Sequence, residues 1–334
     1  MKIGVIGSGS WGSAVGNLLA TIGHEVHMYT RSDEQYHRMK EFGDNPHYLK
    51  DFYFASSVQF HCDFEEAVQD VEVLILAVPT AAVRETMEKI KECESRAVVV
   101  NLAKGLEQGS HLRVSEIAKE IIPENPFVVL SGPSHAEEVA KLLPTTVLVC
   151  SEDEEIALKI QDLFTHDAFR VYVQDDMAGV EIGGALKNII ALGAGLSDGL
   201  GYGDNAKAAL MTRGLTEIQR LGIALGAKPV TFQGLSGVGD LIVTCTSTHS
   251  RNWQFGNRIG RGMDVEEAIE DIGQVVEGYK TTKAAYELAN DLGIEMPITE
   301  KLYNVLYGGL EPRRAVLDLM QRPNKHENEK IFLL

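Results

Sequence analysis

The sequence predicts an α/β chain whose first half is a parallel sheet covered by helices on both faces and whose second half is all helical. Two observations support this. Short β-branched runs alternate with helical patterns up to about residue 174, and beyond it the strand signal stops while helical patterns continue. Such alternation is typical of parallel sheets with two buried faces. A chain of 334 residues is long enough for two domains, each with its own core.

Seven strands are predicted in the first half, over residues 2–6, 25–29, 73–78, 97–102, 127–130, 145–150 and 169–173. Helical patterns between them include residues 10–22, 81–91, 112–121 and 154–164. In the second half they cover residues 176–196, 206–225, 265–271, 281–291, 297–307 and 313–320. We therefore predict one domain over residues 1–178 and an all-α domain over residues 179–334. The polar end, residues 322–330, is predicted to be a mobile tail.

Composition excludes several classes of function. A net charge of −17 disfavours nucleic acids and anionic membrane surfaces as partners, and an anionic substrate then requires a local cationic cluster. The four cysteines have no paired spacing and the ten histidines form no HExxH motif, so neither disulfides nor a metal site is expected. No signal-peptide core or membrane-spanning stretch is evident. We expect a cytoplasmic protein without stable membrane insertion.

A glycine-rich motif follows the first predicted strand and opens a helix: Gly7-Ser-Gly-Ser-Trp-Gly12, called here the glycine loop. In this context GxGxxG indicates dinucleotide binding, and it predicts that the first domain is a Rossmann-like doubly wound sheet. Gly7 would make the turn, Gly9 would let the backbone approach a diphosphate, and Gly12 would let helix and strand pack closely. The diphosphate would lie at the helix N-terminus. The alternative is a turn without a ligand.

The end of the second predicted strand suggests which nicotinamide cofactor is used. NAD-specific folds usually carry Asp or Glu there, whereas this chain has Arg31, with Asp33 close by. A guanidinium group suits a 2′-phosphate. We predict NADPH as cofactor, with NADH also possible; an exposed arginine without a role is the alternative.

In the second half, Lys187 lies in an apolar, glycine-rich stretch over residues 184–205. Lysine is rarely buried without a partner. Gly183, Lys187, Ala191 and Gly195 recur every four residues and therefore share one helix face. The small residues leave either room for a ligand beside the ammonium group or a site of close backbone packing; we favour space for a ligand.

Other candidate residues follow predicted strands or lie among glycines. Lys104 follows one strand, where a cation suits an anionic substrate, and Ser134 follows another, either as a helix N-cap or as a ligand contact. Asp240 lies between glycines and an apolar run, a setting in which a carboxylate usually pairs with a cation. The tripeptide Ser250-Arg251-Asn252 offers a group of donors that suits phosphate.

Over nearly its whole length the chain resembles the bacterial-type NAD(P)-dependent glycerol-3-phosphate dehydrogenases. The resemblance is carried by residues 184–205 and by Asn45-Pro46-His47-Tyr48-Leu49, Ala103-Lys104-Gly105, Ser131-Gly132-Pro133-Ser134, Gly237-Val238-Gly239-Asp240-Leu241 and Ser250-Arg251-Asn252. The chain departs from the family at Lys50, where proline is common, and over residues 51–56.

The resemblance implies reversible reduction of dihydroxyacetone phosphate to sn-glycerol 3-phosphate, which supplies phospholipid synthesis, and a possible homodimer. It implies that Lys187 is the catalytic proton donor; we expect Asp240 to pair with it and Lys104 to assist. Implied substrate-binding residues are Lys104, Gly132, Ser134, Lys187, Asp240, Ser250, Arg251 and Asn252. The cofactor-binding residues expected from the glycine loop and from the resemblance are Gly7, Gly9, Ser10, Trp11, Gly12, Arg31, Tyr48, Lys104, Ala136, Arg251, Val275 and Glu277.

Two alternatives remain. β-Hydroxyacid dehydrogenases also use a lysine from a helical domain, but with asparagine four residues later, where this chain has Ala191. The second alternative is a regulatory protein that binds NADPH without turnover. The set of Lys104, Lys187, Asp240 and Arg251 argues against it, because a sensor does not need these residues.

Overall fold

The computed structural model describes residues 1–324 and 326–327 of the chain. It divides into two compact units. The first comprises Met1–Lys104 and Leu112–Met177, and the second comprises Gly105–His111 and the chain from Ala178 onward. Residues 325 and 328–330 of the predicted tail lie outside the described residues.

The segment Gly105–His111, which we call the excursion, belongs to the second unit although both of its neighbours along the chain belong to the first. Leu106 is buried in the apolar core of the second unit. Gln108 Nε2 donates a hydrogen bond to the Lys280 carbonyl oxygen at 2.9 Å, and His111 Nε2 lies 3.2 Å from Glu287 Oε2. No pattern in the sequence predicts this excursion.

The first unit contains ten strands. They are β1 (Lys2–Ile6), β2 (Glu25–Tyr29), β3 (Asp44–Asn45), β4 (Leu49–Tyr53), β5 (Gln59–His61), β6 (Val73–Leu76), β7 (Val98–Asn101), β8 (Phe127–Ser131), β9 (Thr145–Cys150) and β10 (Phe169–Gln174). Eight of them form one sheet in the order β10-β9-β8-β7-β6-β1-β2-β5, and β3 and β4 form a separate hairpin.

The sheet confirms the predicted doubly wound α/β class, with one departure. Neighbouring strands are parallel except β8 and β9, which are antiparallel, so the sheet is not parallel throughout. The strand order reverses at β1, which lies between β2 and β6. Ligands of open α/β sheets bind beyond the carboxyl ends of the strands at such a reversal, where the glycine loop follows β1.

Helices of the first unit cover both faces of the sheet. They are α1 (Ser10–Thr21), α2 (Asp33–Phe42), α3 (Phe64–Val68), α4 (Val83–Glu92), α5 (Val114–Ile121), α6 (Ala136–Val139) and α7 (Glu154–Phe164). On β6, Val73 and Ile75 belong to the apolar cluster that includes α1, whereas Leu74 and Leu76 belong to the cluster that includes α4 and α5. Alternate residues of a strand point to opposite faces, so the continuous apolar run of β6 fills two cores.

The second unit is built from helices. They are α8 (Met177–Gly199), α9 (Asp204–Ala224), α10 (Asp240–Thr246), α11 (Arg251–Gly260), α12 (Val265–Ile272), α13 (Glu277–Asp291), α14 (Pro297–Tyr307) and α15 (Pro312–Met320). Its described residues include no strand, which confirms the predicted all-α character. By length and composition α8 is apolar enough to cross a membrane, but 94% of that window is buried inside the structure, as in a core helix.

Candidate active site

The site is built around Lys187 on α8, which is 7% exposed. Its ammonium group donates hydrogen bonds to the carboxylate of Asp240 and, at 2.8 Å, to Thr244 Oγ1. Asp240 is 1% exposed. The ion pair predicted between Lys187 and Asp240 is therefore present. Thr244 is an additional partner, and its place one helical turn after Asp240 is the sequence signal that points to it.

The start of α10 explains why the carboxylate of Asp240 lies there. Residues Leu235–Gly239 form a π-helical turn, and Asp240 is the first residue of α10. Backbone N–H groups at a helix N-terminus favour a negative charge. Gly237 is required in this turn because a Cβ atom there would collide with the Phe232 carbonyl oxygen. The Thr244 hydroxyl donates to the Asp240 carbonyl oxygen at 2.6 Å, which leaves its lone pairs facing Lys187.

The nearby thiol of Cys245 offers no alternative chemistry. Burial raises the pKa of this thiol to about 12, so it stays protonated near neutral pH. Within the described residues, no three His, Cys, Asp or Glu side chains come close enough to hold a metal ion. The charged proton donor described in this cluster is the Lys187 ammonium group.

The small residues around Lys187 do not form an open space, and this corrects the sequence analysis. A Cβ atom on Gly183 would lie 2.6 Å from the Ser236 carbonyl oxygen, and one on Gly195 would overlap the Trp253 carbonyl oxygen. Ala191 is fully buried. The stripe is thus a surface of close backbone packing, and its glycines are needed for contact between helices rather than for room beside a ligand.

The predicted phosphate-binding tripeptide opens α11. Ser250 is the N-cap, and its hydroxyl oxygen accepts a hydrogen bond from the Trp253 backbone N–H at 3.3 Å. Arg251 is exposed and Asn252 is buried. Asn252 Nδ2 donates to Asn188 Oδ1 at 2.9 Å, which brings this tripeptide next to the residue that follows Lys187. The sequence analysis did not assign a role to Asn188.

Asn252 also connects the tripeptide to the predicted cofactor contacts of the second unit. Its Oδ1 atom accepts a hydrogen bond from the Gly278 backbone N–H at 2.8 Å. Gly278 is the second residue of α13, so this bond partly caps that helix. Glu277 is the first residue of α13, and Val275 is exposed just before it. Hydrogen bonds thus connect Asn252 with Asn188, the residue after Lys187, and with Gly278, the residue after Glu277.

In the first unit, the three glycines of the glycine loop differ in their surroundings. Gly7 has φ of +107°, and a Cβ atom there would lie 2.6 Å from the Ala77 carbonyl oxygen. At Gly12 a Cβ atom would overlap the Gly7 carbonyl oxygen, whereas at Gly9 the nearest atom would be Tyr48 Cε1 at 4.0 Å. Gly7 and Gly12 are therefore required by packing. Gly9 faces open space.

The loop fits an anionic diphosphate. Gly9 precedes α1 without a side-chain cap, and no described residue accepts a hydrogen bond from the backbone N–H groups at positions 9–12. The first turn of α1 carries no acidic residue. Free N–H groups together with the helix dipole favour an anion. The residues present therefore fit the diphosphate of a dinucleotide.

Other predicted cofactor residues surround this loop. Ser10 Oγ donates to the Tyr48 carbonyl oxygen at 2.9 Å, which ties the start of α1 to the turn between β3 and β4. Trp11 is partly buried against the core of the first unit. Arg31 is exposed two residues after the end of β2, next to the buried Thr30. Tyr48 contacts the glycine loop in two ways. Its carbonyl oxygen accepts the hydrogen bond from Ser10, and its ring lies beside Gly9.

The predicted substrate residues of the first unit meet at one carbonyl group. Lys104 Nζ donates to the Gly132 carbonyl oxygen at 3.1 Å, and Ser134 Oγ donates to the same oxygen at 2.9 Å. Ser134 is therefore not the helix cap; His135 occupies the cap position of α6, without a side-chain hydrogen bond. Ala136 is the first residue of α6. Gly132 has φ of +130°, a conformation that a side chain would strain.

Comparisons with known proteins agree over nearly the whole chain. The family model for the N-terminus of NAD-dependent glycerol-3-phosphate dehydrogenase matches residues 2–157, and the model for its C-terminus matches residues 176–317. The NAD(P)+ glycerol-3-phosphate dehydrogenase of Shouchella clausii is 52% identical over 336 residues, 99% of each chain. That of Geobacillus thermodenitrificans is 54% identical over 330 residues, covering 98% of this chain and 96% of the other.

A solved structure agrees with these matches. The crystal structure of glycerol-3-phosphate dehydrogenase from Coxiella burnetii is 38% identical, with a TM-score of 0.93, and covers 96% of this chain and 99% of that chain. No support for the β-hydroxyacid dehydrogenase alternative comes from these matches.

Proposed function

Because the chain belongs to the NAD-dependent glycerol-3-phosphate dehydrogenase family, we propose that it catalyses the reversible reduction of dihydroxyacetone phosphate to sn-glycerol 3-phosphate. It is an NAD(P)-dependent oxidoreductase of that family. The observation that carries the proposal for the reaction is the Lys187 ammonium group, buried and bonded to Asp240 and Thr244. This group supplies the proton that carbonyl reduction requires.

When bound, the nicotinamide supplies a hydride to the carbonyl carbon, and negative charge develops on the carbonyl oxygen. In our proposal Lys187 stabilises that charge and donates its proton to this oxygen. Asp240 keeps the ammonium group protonated and, with Thr244, fixes its direction. Lys104 assists at the same oxygen or at the neighbouring hydroxyl group. In the reverse reaction Lys187 takes the proton from the alcohol.

The substrate phosphate is assigned to the start of α11. Arg251 is exposed there as the first residue of the helix, where the dipole favours an anion. A guanidinium group binds phosphate in a bidentate manner, and the Asn252 amide is held nearby. Ser250, Gly132 and Ser134 complete the proposed substrate contacts. Binding energy from the remote phosphate orients the reacting carbon.

We assign the cofactor diphosphate to the glycine loop and to Ser10 and Trp11, with Tyr48, Ala136, Val275, Glu277, Lys104 and Arg251 as further contacts. NADPH and NADH are both accepted by this proposal. The exposed guanidinium of Arg31 supports recognition of the 2′-phosphate of NADPH. We expect the variant Arg31→Asp to raise KM for NADPH much more than KM for NADH. Equal changes in the two KM values would contradict this assignment.

The reaction is tested by mixing the protein with NADPH and dihydroxyacetone phosphate and following absorbance at the nicotinamide band. We expect rapid oxidation of NADPH. With dihydroxyacetone, which lacks the phosphate, kcat/KM is expected to be at least about 100-fold lower, since the charged contacts at Arg251 are lost. Cofactor binding without oxidation would instead support the regulatory alternative.

We further propose that the protein works in the cytoplasm as a homodimer and supplies glycerol 3-phosphate for phospholipid synthesis. The net charge of −17 supports the absence of nucleic acid and anionic membrane partners. Light scattering coupled to size exclusion tests the dimer: a mass near twice 36.6 kDa is expected.

A further inference from the structure

One backbone carbonyl in the glycine loop is held by three donors. The Ser8 carbonyl oxygen accepts hydrogen bonds from Gln35 Nε2 at 2.8 Å, from Asn45 Nδ2 at 2.8 Å and from Ser13 Oγ at 3.3 Å. Gln35 lies on α2 and Asn45 on β3. Two elements that the sequence analysis did not recognise thus meet at this carbonyl group.

The two amide side chains are themselves held in place. Gln35 Oε1 accepts a hydrogen bond from Thr30 Oγ1 at 3.0 Å, and Gln35 Nε2 also lies 3.3 Å from Asn45 Oδ1. Asn45 Nδ2 donates in addition to Ser13 Oγ at 2.9 Å. Asn45 is 2% exposed. These bonds leave each amide group one favourable orientation. A flip of either amide would place its oxygen against the Ser8 carbonyl oxygen, and a flip of Gln35 would also place its NH₂ group against the Thr30 hydroxyl group.

The orientation of the Ser8 carbonyl determines that of the next N–H group. In a trans peptide the carbonyl and the N–H point in opposite directions, and the described chain contains no cis peptide bond. Holding the Ser8 carbonyl toward Gln35 and Asn45 therefore turns the Gly9 N–H away from them. No described residue accepts a hydrogen bond from that N–H group, and a side chain at Gly9 would face open space.

We propose that Gln35 and Asn45 are positioning residues, which hold the Ser8–Gly9 peptide so that the Gly9 N–H faces the diphosphate of the cofactor. This inference rests on the proposed function only in taking the cofactor to be a dinucleotide. Neither amide touches the cofactor in this proposal; both act through the backbone of the loop.

The test is the variant Gln35→Met, which keeps the length of the side chain, adds no charge and removes the hydrogen bonds to the Ser8 carbonyl oxygen, Thr30 Oγ1 and Asn45 Oδ1. We expect Kd for NADPH and for NADH to rise about tenfold, as expected when one hydrogen bond to a charged group is lost. Kd for adenosine 2′-phosphate, which has no diphosphate, is expected to stay within twofold. KM for the cofactor rises while kcat at saturation is retained, since the variant leaves Lys187 in place.

Two further variants accompany this test. Thr30→Val releases Gln35 Oε1 without touching the loop, and a rise of about threefold in Kd for NADPH is expected. The matched control is Glu34→Gln, at an exposed neighbouring position of α2, for which Kd is expected to stay unchanged. Thermal unfolding of each apo variant shows whether it is folded.

An unchanged Kd for NADPH in folded Gln35→Met would overturn the inference. An equal loss of affinity for adenosine 2′-phosphate would also overturn it, because it would indicate a general disturbance of the unit. A failure of the parent protein to bind NADPH would overturn it as well. These titrations contain no dihydroxyacetone phosphate. A parent protein that binds cofactor but does not turn over would therefore contradict the proposed reaction and leave the result on positioning intact.

Discussion

The cost of burying a lysine supports the catalytic role that we propose for Lys187. Removing an ammonium ion and a carboxylate from water costs several kcal/mol for each, and apolar residues of similar volume often stabilise a core as well or better. The bonds of Lys187 to Asp240 and Thr244 offset this cost without giving a reason for the pair. Proton donation to a developing oxyanion does give one, which is why we place the chemistry here.

We predict that Lys187→Ala lowers kcat for reduction of dihydroxyacetone phosphate by about 10³-fold or more, because both the general acid and the charge facing the oxyanion are lost. Kd for NADPH, measured by nicotinamide fluorescence, stays within about twofold. The single variant leaves the Asp240 carboxylate buried without its cation, at a cost of about 3–5 kcal/mol in unfolding free energy.

The double variant Lys187→Ala with Asp240→Asn separates folding from catalysis. It removes both charges, so we expect part of the stability to return while kcat remains low. As a control, Lys301→Ala breaks another lysine–aspartate pair of the second unit, with Asp318, and should leave kcat near that of the parent protein. Recovery of turnover in the double variant would rule out the proton-donor role.

Single residues differ in how far the sequence predicts them. Lys187 and Asp240 stand out because each is a charged residue in an apolar, glycine-rich setting, so each needs a partner. Asn188 and Gln35 carry no such signal, since amides are common in helices and their partners come from distant segments. Their roles appear only once tertiary contacts are known.

Among the elements, α8 shows how glycine sets the distance between helices. Gly195 lies against the backbone of Trp253 on α11, and Gly256 on α11 lies equally close to the Leu192 carbonyl oxygen. Small residues on both helices allow direct contact of their backbones. This contact fixes the start of α11, which carries Arg251, relative to Lys187.

We predict that Gly195→Ala destabilises the protein by about 3 kcal/mol, because the added methyl group overlaps the Trp253 carbonyl oxygen and α11 must move. Urea unfolding measures this change, and KM for dihydroxyacetone phosphate rises with it. The matched control is Gly203→Ala at the N-cap of α9, where nothing lies within 4 Å of the new atom and only the lost capping preference, about 1 kcal/mol or less, is expected. Equal effects of the two changes would show that helix packing is not the cause.

The N-terminus of α14 is capped by a side chain from another helix. Glu217 on α9 accepts hydrogen bonds from the backbone N–H groups of Ile298 at 2.6 Å and Thr299 at 3.1 Å. Burial raises the pKa of this carboxyl group to about 7, although the two N–H donors lower it. The folded protein therefore retains a proton at Glu217 in a pH range where the unfolded chain has lost it.

This proton gives stability a predictable dependence on pH. Between pH 4.5 and about 7 the unfolded chain binds fewer protons at this site than the folded protein, so the contribution of Glu217 to the unfolding free energy falls as pH rises. We predict that the unfolding free energy of the parent protein falls by up to about 3 kcal/mol over this range, relative to that of Glu217→Gln. Urea unfolding at several pH values measures it. Glu300→Gln, an exposed change on α14, should leave the slope unaltered, and parallel curves for the parent and Glu217→Gln would contradict the prediction.

Elements with a strong apolar period are predicted well. The predicted strands 2–6, 25–29 and 145–150 and the helices 154–164 and 297–307 coincide with those of the structure. By contrast, α2 was missed because Met39 is its one buried residue, so no apolar period marks it. The strand–helix alternation predicts a parallel β9, and this is wrong because the direction of a strand depends on tertiary contacts that its own residues do not reveal.

At the scale of the whole molecule, the chain passes between the two units three times. It enters the second unit at Gly105, returns to the first at Leu112 and enters the second again at Ala178. Composition changes near residue 178, and the sequence border was placed there for that reason. The excursion over Gly105–His111 is too short to change composition and carries a single buried leucine, so no sequence pattern reveals it.

We predict that Leu106→Ala destabilises the second unit, although the chain on either side of the excursion belongs to the first unit. Leu106 is buried, and deleting a buried leucine side chain costs about 2–5 kcal/mol. Hydrogen exchange read by mass spectrometry should increase in α13, against which Gln108 and His111 are bonded, and should change little in β1. Ser110→Ala, an exposed change in the same segment, is expected to alter neither, and faster exchange confined to the first unit would refute the assignment of the excursion.

The excursion also limits how this protein can be divided into fragments. A piece that begins at residue 178 lacks Leu106 and leaves a gap in its own apolar core. The shortest continuous piece that holds the complete second unit begins at Gly105, and it necessarily carries β8, β9 and β10 without β7, the strand that pairs with β8. Such a piece exposes the unpaired edge of β8, which invites pairing with other chains. The second unit therefore cannot be excised as a self-sufficient polypeptide by a single cut.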